Sequence, residues 1–393
     1  MKQVVLKKGK EVNLERKHPW IFSGALHRVD QTLEAGEHVH VTDHTGQVLA
    51  TGHYHRGSIA VRVLTFEEAV IDQAFWNSKL QSAYDYRTSL GLTANTHTNA
   101  YRLVHGEGDG IPGLVIDMYN GNAVIQCHSI GVYRDRELIA AATDAVFGHS
   151  LQSIYFKTKD TLPHSYTADV ENEYYKEGER TTTIREHDVQ FQIDWEGGQK
   201  TGFFLDQREN RRILGTYSKG KRVLNCFCYT GGFSMYALAA GAEHVTSVDV
   251  SAAATTLVSD NNKLNGYTED QHQIDTANVM KGLQSDEVPQ YDIVVIDPPA
   301  FAKSIKKRHN AVQAYKRLNA MALKKVAPGG YLFTFSCSQV VGTELFNNTV
   351  TAAAIESGRN IRVVERLTQG PDHPVNIYHP EGSYLKGLIL YVE

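Results

Sequence analysis

Long apolar runs are missing from this chain. None of its 393 residues lies in a stretch approaching the roughly 20 apolar residues that a membrane-spanning helix needs. The start, MKQVVLKKGKEVNLERKHPW, carries only a short apolar patch, too little for a secretory signal. A cytoplasmic location is therefore expected. Cysteine is scarce: Cys127, Cys226, Cys228 and Cys337 make neither a disulfide framework nor a CxxC metal pair, and no metal is expected. Phosphate loops are missing too. No GxxxxGK[ST] occurs, and the loop Tyr229-Thr230-Gly231-Gly232-Phe233 lacks the third glycine of a dinucleotide fingerprint. That argues against a pyrophosphate on the following helix.

What surrounds that loop organises the rest. Val223-Leu224 reads as a buried strand entering it, and Phe233 to Ala240 reads as a short helix stopped by Gly241. A second β-rich run, Val245 to Val250, carries Asp249 near its end. Glycine admits a ligand close to the backbone, and an acid about 20 residues on bonds ribose hydroxyls. A ribose-bearing ligand without phosphates fits best, and S-adenosylmethionine is the common one. Asn225, Phe227, Thr230, Gly231, Gly232, Asp249 and Ser251 are the candidate contacts, with Asp275 at the next strand end facing adenine. The bland alternative is a buried βαβ unit with a tight turn.

A second motif is YDIVVIDPPAF, Tyr291 to Phe301, an apolar strand ending in Asp297 and two prolines. Open α/β sheets place ligands at the carboxyl ends of their strands, so Asp297 is expected in the same crevice as Asn225 and Gly231. Pro298-Pro299 forbids helix and stiffens a loop able to frame a flat ring. Strand-acid-Pro-Pro beside the first unit points to a nucleic-acid methyltransferase. A third motif, Tyr331 to Phe335 followed by Ser336-Cys337-Ser338, brings Cys337 to the sheet's rim beside Asp297. On position alone, a small buried thiol is an equal reading.

The remainder divides at about 72 and 186. Residues 1–72 read as a small β domain, 73–186 as a central α+β domain, and 187–393 as the ligand-binding α/β domain. In the first, Trp20 and Phe22 are expected in the core, and the His38/His40 and His53/His55 pairs each share a strand face without an acid at zinc-ligand spacing. In the second, Asn120-Gly121 marks a hairpin, Val132 to Phe147 reads as one helix, and Glu107 and Asp109 read as turn chemistry. In the third, GQKTGFFLDQRENR leads from a glycine loop into a polar helix that can close over the cofactor, through Phe203, Gln207 and Arg208.

A net charge of −4 hides an asymmetry. Residues 1–30 hold seven Lys/Arg against three acids, and residues 300–325 hold eight and no acid. Clustered base in a mildly acidic chain suggests a polyanion-binding face. Lys17, Arg28, Lys303, Lys306, Lys307 and Arg308 are the candidate RNA contacts; solvated helix faces are the alternative.

These segments together resemble the PUA-domain class I methyltransferases of bacterial large-subunit ribosomal RNA that act on carbon 5 of cytosine. KHPWIFSGAL is similar to the family's opening, RLVHGEGDGIPGLVID to its middle segment, and GQKTGFFLDQRENR, DPPAF and SCS to its catalytic motifs. The resemblance implies an α/β chain: a Rossmann-like seven-stranded methyltransferase domain, preceded by a small β-barrel PUA domain and a central α+β domain. It also implies S-adenosylmethionine, a ribosomal RNA substrate and a homodimer. The cysteine-rich loop NCFCYTGGF departs from the family, and Cys226 and Cys228 read as packing. Cys337 would add to carbon 6 of cytosine, and Asp297 would hold the ring nitrogen and amino group. Two rivals stand beside this: methylation of a guanine or adenine nitrogen, which needs no thiol, and a catalytically silent RNA-binding protein.

Overall fold

The computed structural model describes residues 1–393 apart from Asp169, Thr181 and Lys303. By internal contacts the chain forms two units. One comprises Met1–Ile184, Asp194–Leu205 and Pro371–Gly382; the other comprises Arg185–Ile193, Asp206–Gly370 and Ser383–Glu393.

The first unit holds two sheets. Residues 1–72 supply six strands in the spatial order Trp20–Phe22, Ile59–Thr65, Val48–Tyr54, His38–Thr42, Lys2–Leu6, Leu26–Val29. Alternation sets its core: Val4 and Leu6, Val39 and Val41, and Val61 and Val63 point inward. Gly52 permits a close approach of two of these strands, because a Cβ there would lie 2.1 Å from the Arg62 carbonyl oxygen. Trp20 and Phe22 are not core. Strand alternation buries Ile21 between them and leaves Phe22 42% exposed.

Residues 73–186 supply a five-stranded sheet, ordered Glu173–Lys176, Ser153–Phe156, Asn122–Cys127, Leu114–Tyr119, Ala100–His105. The helix Gln73–Ser89 packs against Ala100–His105 of this sheet and against the helix Arg136–Phe147. Asn120 and Gly121 both take positive φ, +47° and +83°, as a two-residue hairpin turn requires. The single helix expected over 132–147 is broken at Asp135 into Ile130–Arg134 and Arg136–Phe147. The Asp135 carboxylate there accepts from His38 Nε2 at 2.8 Å and His53 Nε2 at 3.0 Å. The acid that sequence spacing did not place beside the histidines therefore comes from a distant helix junction. Asp109 accepts from Arg87 Nη2 at 2.8 Å and Glu107 from Trp20 Nε1 at 2.8 Å, so the two acids anchor the glycine turn to the helix Gln73–Ser89 and to the strand Trp20–Phe22.

The second unit is a seven-stranded sheet. Its strands are β1 (Arg222–Cys226), β2 (His244–Asp249), β3 (His272–Thr276), β4 (Tyr291–Ile296), β5 (Val326–Ser336), β6 (Ile361–Leu367) and β7 (Lys386–Val392). Its helices are α1 (Arg208–Ser218), α2 (Gly232–Ala239), α3 (Ala252–Leu264), α4 (Val279–Gln284), α5 (Arg308–Lys325) and α6 (Thr343–Ser357). The spatial order is β3-β2-β1-β4-β5-β7-β6, with β7 antiparallel to both of its neighbours. β4 carries an unbroken apolar run because both faces of the sheet are covered there: Ile293, Val294, Val295 and Ile296 are all buried. Each such side chain contributes about 1.5–3 kcal/mol. The order reverses between β1 and β4, whose pairing brings Cys226 level with Ile296. The loops after these two strands therefore open on one crevice.

Candidate active site

The loop leaving β1 has a constrained backbone. Phe227, Tyr229 and Gly231 take φ of +58°, +47° and +78°. Two of the three are bulky residues, for which this conformation costs about 1–3 kcal/mol each and persists only where neighbours enforce it. The enforcing group is Asp249 at the end of β2. Its Oδ2 accepts from the Tyr229 amide at 3.0 Å and its Oδ1 from the Ser251 amide at 2.9 Å. Each carboxylate oxygen keeps a second lone pair for a ligand hydroxyl. Ser251 caps α3 by accepting from the Ala254 amide at 3.3 Å. The Thr230 carbonyl accepts from Asn261 Nδ2 at 2.9 Å.

Both glycines are needed. A Cβ on Gly231 would stand 3.0 Å from Val258 Cγ1, and one on Gly232 2.9 Å from Arg211 Cδ. Arg211 is itself buried and paired with Glu186, Nε to Oε1 and Nη2 to Oε2 both at 2.8 Å. Tyr236 Oη also donates to Glu186 Oε1 at 3.1 Å. This ion pair braces the loop from beneath.

Asn225 is buried on β1, donating to Ser234 Oγ at 2.8 Å in a polar chain that continues through Ser247 to His272. Asp275, at the end of β3, accepts both of its contacts from Gln273 Nε2, at 2.9 and 3.1 Å. Gln207 and Asp297, 90 residues apart, meet through Gln207 Nε2 to Asp297 Oδ2 at 3.0 Å. Arg208 is buried at the start of α1 and donates to Glu209 Oε1 at 3.1 Å. Phe203 belongs to the other unit. Lys17, Arg28, Lys306, Lys307 and Arg308 are exposed, and Lys303 lies outside the described residues.

Asp297 is pushed up to about 7, first by burial and then by the carboxylate of Asp206. Asp206 is a site residue that the motifs did not single out, although it directly precedes Gln207. Its Oδ2 accepts from Tyr384 Oη at 2.6 Å, and its Oδ1 is buried without a hydrogen-bond partner among the described residues. Two crowded carboxylates with an orphaned oxygen suit a cation. The sulfonium and ammonium of S-adenosylmethionine meet that need, and a phosphate would not.

Cys337 follows β5 at the same rim. It is the one cysteine of the four that is not buried. Burial first, then Asp297 and Asp206, push its thiol up to about 11. Cys226 is pushed up to about 12 by burial alone, and Cys228 also rises through burial; both are packing residues, as the sequence suggested. Beneath the rim Tyr315 is buried on α5, its ring 4.7 Å from Phe301. Lys386, at the start of β7, is a second residue that no motif marked. It is buried and donates to the Ser338 carbonyl at 2.7 Å.

Residues 102–389 match the family described as S-adenosylmethionine-dependent methyltransferase, and residues 4–66 match the PUA-like domain. The chain is 40% identical to the ribosomal RNA large subunit methyltransferase I of Tolumonas auensis, covering 98% of both proteins. It is 38% identical to that of Klebsiella pneumoniae strain 342, covering 98% of this chain and 97% of the relative. A crystal structure of a methyltransferase complexed with SAH shares the fold over 100% of both chains, with a TM-score of 0.86 at 22% identity. Among the described residues no helix is long and apolar enough to cross a membrane. Matched over most of its length by a family and nearly end to end by such relatives, the chain belongs to the ribosomal RNA large subunit methyltransferase I family of S-adenosylmethionine-dependent methyltransferases.

Proposed function

We propose that the protein methylates carbon 5 of a cytosine in large-subunit ribosomal RNA, with Cys337 as covalent nucleophile. The observation that carries the mechanism is the rim itself: one accessible thiol beside a carboxyl group able to hold a proton near neutral pH. S-adenosylmethionine, when bound, supplies the methyl group as a sulfonium. Asp249 and the glycine loop hold its ribose, and the Asp206 carboxylate balances its positive charge.

Carbon 5 of cytosine is a poor nucleophile. The Cys337 thiolate donates its electron pair to carbon 6, and the ring's π electrons move toward N3, where protonated Asp297 donates a hydrogen bond. The resulting enamine is nucleophilic at carbon 5. After methylation the carbon 5 proton passes to solvent, its bonding pair re-forms the carbon 5–carbon 6 double bond, the sulfur–carbon 6 bond breaks and the thiolate recovers its pair. Splitting one hard step into two is the rationale for covalent catalysis.

RNA is held by the basic residues Lys306, Lys307 and Arg308 of one unit and, separately, by Lys17 and Arg28 of the β domain. A division into domains at about 72 and 186, a cytoplasmic location and a homodimer complete the reading, and sedimentation analysis of the purified protein checks the dimer. Methylation of a base nitrogen is the rival, favoured by the upward shift of the Cys337 thiol. Cys337→Ser separates the two. It is expected to fold, bind cofactor and lose at least about 1,000-fold in turnover, as when a covalent nucleophile is removed. RNA carrying 5-fluorocytosine should trap the wild type covalently and leave the variant free. Full activity in Cys337→Ser would move the reading to nitrogen.

A further inference from the structure

A thiol among carboxylates is a poor start for a nucleophile. The groups facing Cys337 from the elements around it are Asp297 after β4, Asp206 ahead of α1, Tyr315 on α5 and Lys386 on β7. Of these, Lys386 alone favours the thiolate.

The placement of Lys386 follows from sheet topology. β7 runs antiparallel beside β5, and its register sets Lys386 opposite Ser336, the residue before Cys337. The side chain then reaches past Cys337 to donate to the carbonyl of Ser338, the residue after it, at 2.7 Å. Lys386 thus spans the turn that bears the thiol. It is 6% exposed, and among the described residues it forms no ion pair with a carboxylate. A buried amine with one hydrogen bond and no counter-ion is an expensive choice for a strand that is otherwise apolar, LKGLILYV. Structure alone is met as well by methionine or leucine.

We propose that Lys386 is the positioning residue that ionises Cys337: its neutral amine takes the thiol proton, and the ammonium formed then faces the thiolate. This rests on the reading of Cys337 as nucleophile. The proton moves from Sγ to Nζ, the electron pair stays on sulfur, and no other reactant is needed. Burial suits the amine to the task, lowering Lys386 to about 8, with Cys337 acting in the opposite direction. A lysine in water would hold its proton too tightly to accept one near neutral pH.

The test uses the full-length protein and the variants Lys386→Met and Lys386→Arg. The rate of Cys337 alkylation by iodoacetamide is followed against pH by peptide mass spectrometry. The expected midpoint is higher in Lys386→Met than in wild type by about 1 unit or more, the range for loss of a nearby opposite charge. Lys386→Arg keeps a cation and is expected to keep the wild-type midpoint. It cannot release a proton, so the rate of covalent capture of 5-fluorocytosine RNA should lose its rising limb near pH 8. Should Lys386→Met fail to fold, the presence or absence of that limb in Lys386→Arg still decides. Equal midpoints in folded wild type and Lys386→Met, or an unchanged limb in Lys386→Arg, would overturn the proposal. An inactive Cys337→Ser with unmoved midpoints sinks this inference alone. An active Cys337→Ser sinks the nucleophile and leaves the alkylation shift as a measured property of the pair.

Discussion

Removing the Asp249 carboxylate is the sharpest perturbation of the cofactor site. It does two things in this structure. It strips the Tyr229 and Ser251 amides of acceptors held at 3.0 and 2.9 Å, and it takes away the only acid at the end of β2. Hydrogen bonds to a charged group contribute about 1.5–3 kcal/mol. Asp249 is half-buried, so water competes and the lower half of that range applies to each protein contact. The left-handed Phe227 and Tyr229 lose the group that enforces them, so part of the lost stability returns as relieved strain. On the proposed role of Asp249, ligand binding has no such offset, because the ribose hydroxyls would lose their acceptor and the loop its shape. Asp249→Ala is therefore expected to weaken S-adenosylmethionine binding by about 1.5–3 kcal/mol, about 10- to 150-fold in Kd. Asp249→Asn keeps one acceptor oxygen and is expected to fall between. Titration calorimetry near neutral pH measures both. An unchanged Kd in Asp249→Ala, with the fold intact by circular dichroism, would refute the assignment and the reasoning about the loop with it.

Other perturbations have signed outcomes. Arg211→Met leaves Glu186 buried and uncompensated, and urea unfolding should show a loss of about 3–5 kcal/mol; a loss under 1 kcal/mol would mean that water reaches the pair. Asp297 has its carboxyl raised above the ordinary 3.8 to about 7. The native state then binds its proton more tightly than the unfolded chain, and stability falls as pH rises from about 4 through 7. Asp297→Asn should thus be the more stable protein above pH 7, by about 1–3 kcal/mol, converging with wild type below about pH 4 while losing methyl transfer; parallel stability curves would contradict the burial argument. Charge reversal at Lys306, Lys307 and Arg308 should weaken RNA binding and flatten its salt dependence, since each lost phosphate contact releases one fewer condensed ion. Equal salt slopes in filter binding would exclude the strip.

The parts of this site that were legible in sequence are those written in contiguous residues. VVIDPP announces a buried strand, its end and its acid without reference to anything else, and TGGF followed by an acid does the same for the cofactor loop. Asp206 and Lys386 were not legible, because their meaning depends on register. Lys386 becomes interesting only when β7 inserts antiparallel beside β5 and sets it against Ser336. Asp135 is the same case in the other unit. Its helix pattern reads straight through it, and only His38 and His53, more than 80 residues away, explain the break. Trp20 and Phe22 failed for another reason. Aromatic bulk suggested the interior, but alternation along a three-residue strand gave the inward position to Ile21.

The insertion of β7 between β5 and β6 also orders events in time. A ribosome makes β5 and β6 before β7, so while the chain is emerging β5 has β4 on one side and an unpaired edge on the other. That edge is long, apolar and open to pairing with any stray strand. The strand that closes it brings the rim lysine with it. Completion of the sheet and assembly of the catalytic rim are thus one late step of folding, and a chain halted before that step holds its thiol beside two acids with no cation to answer them.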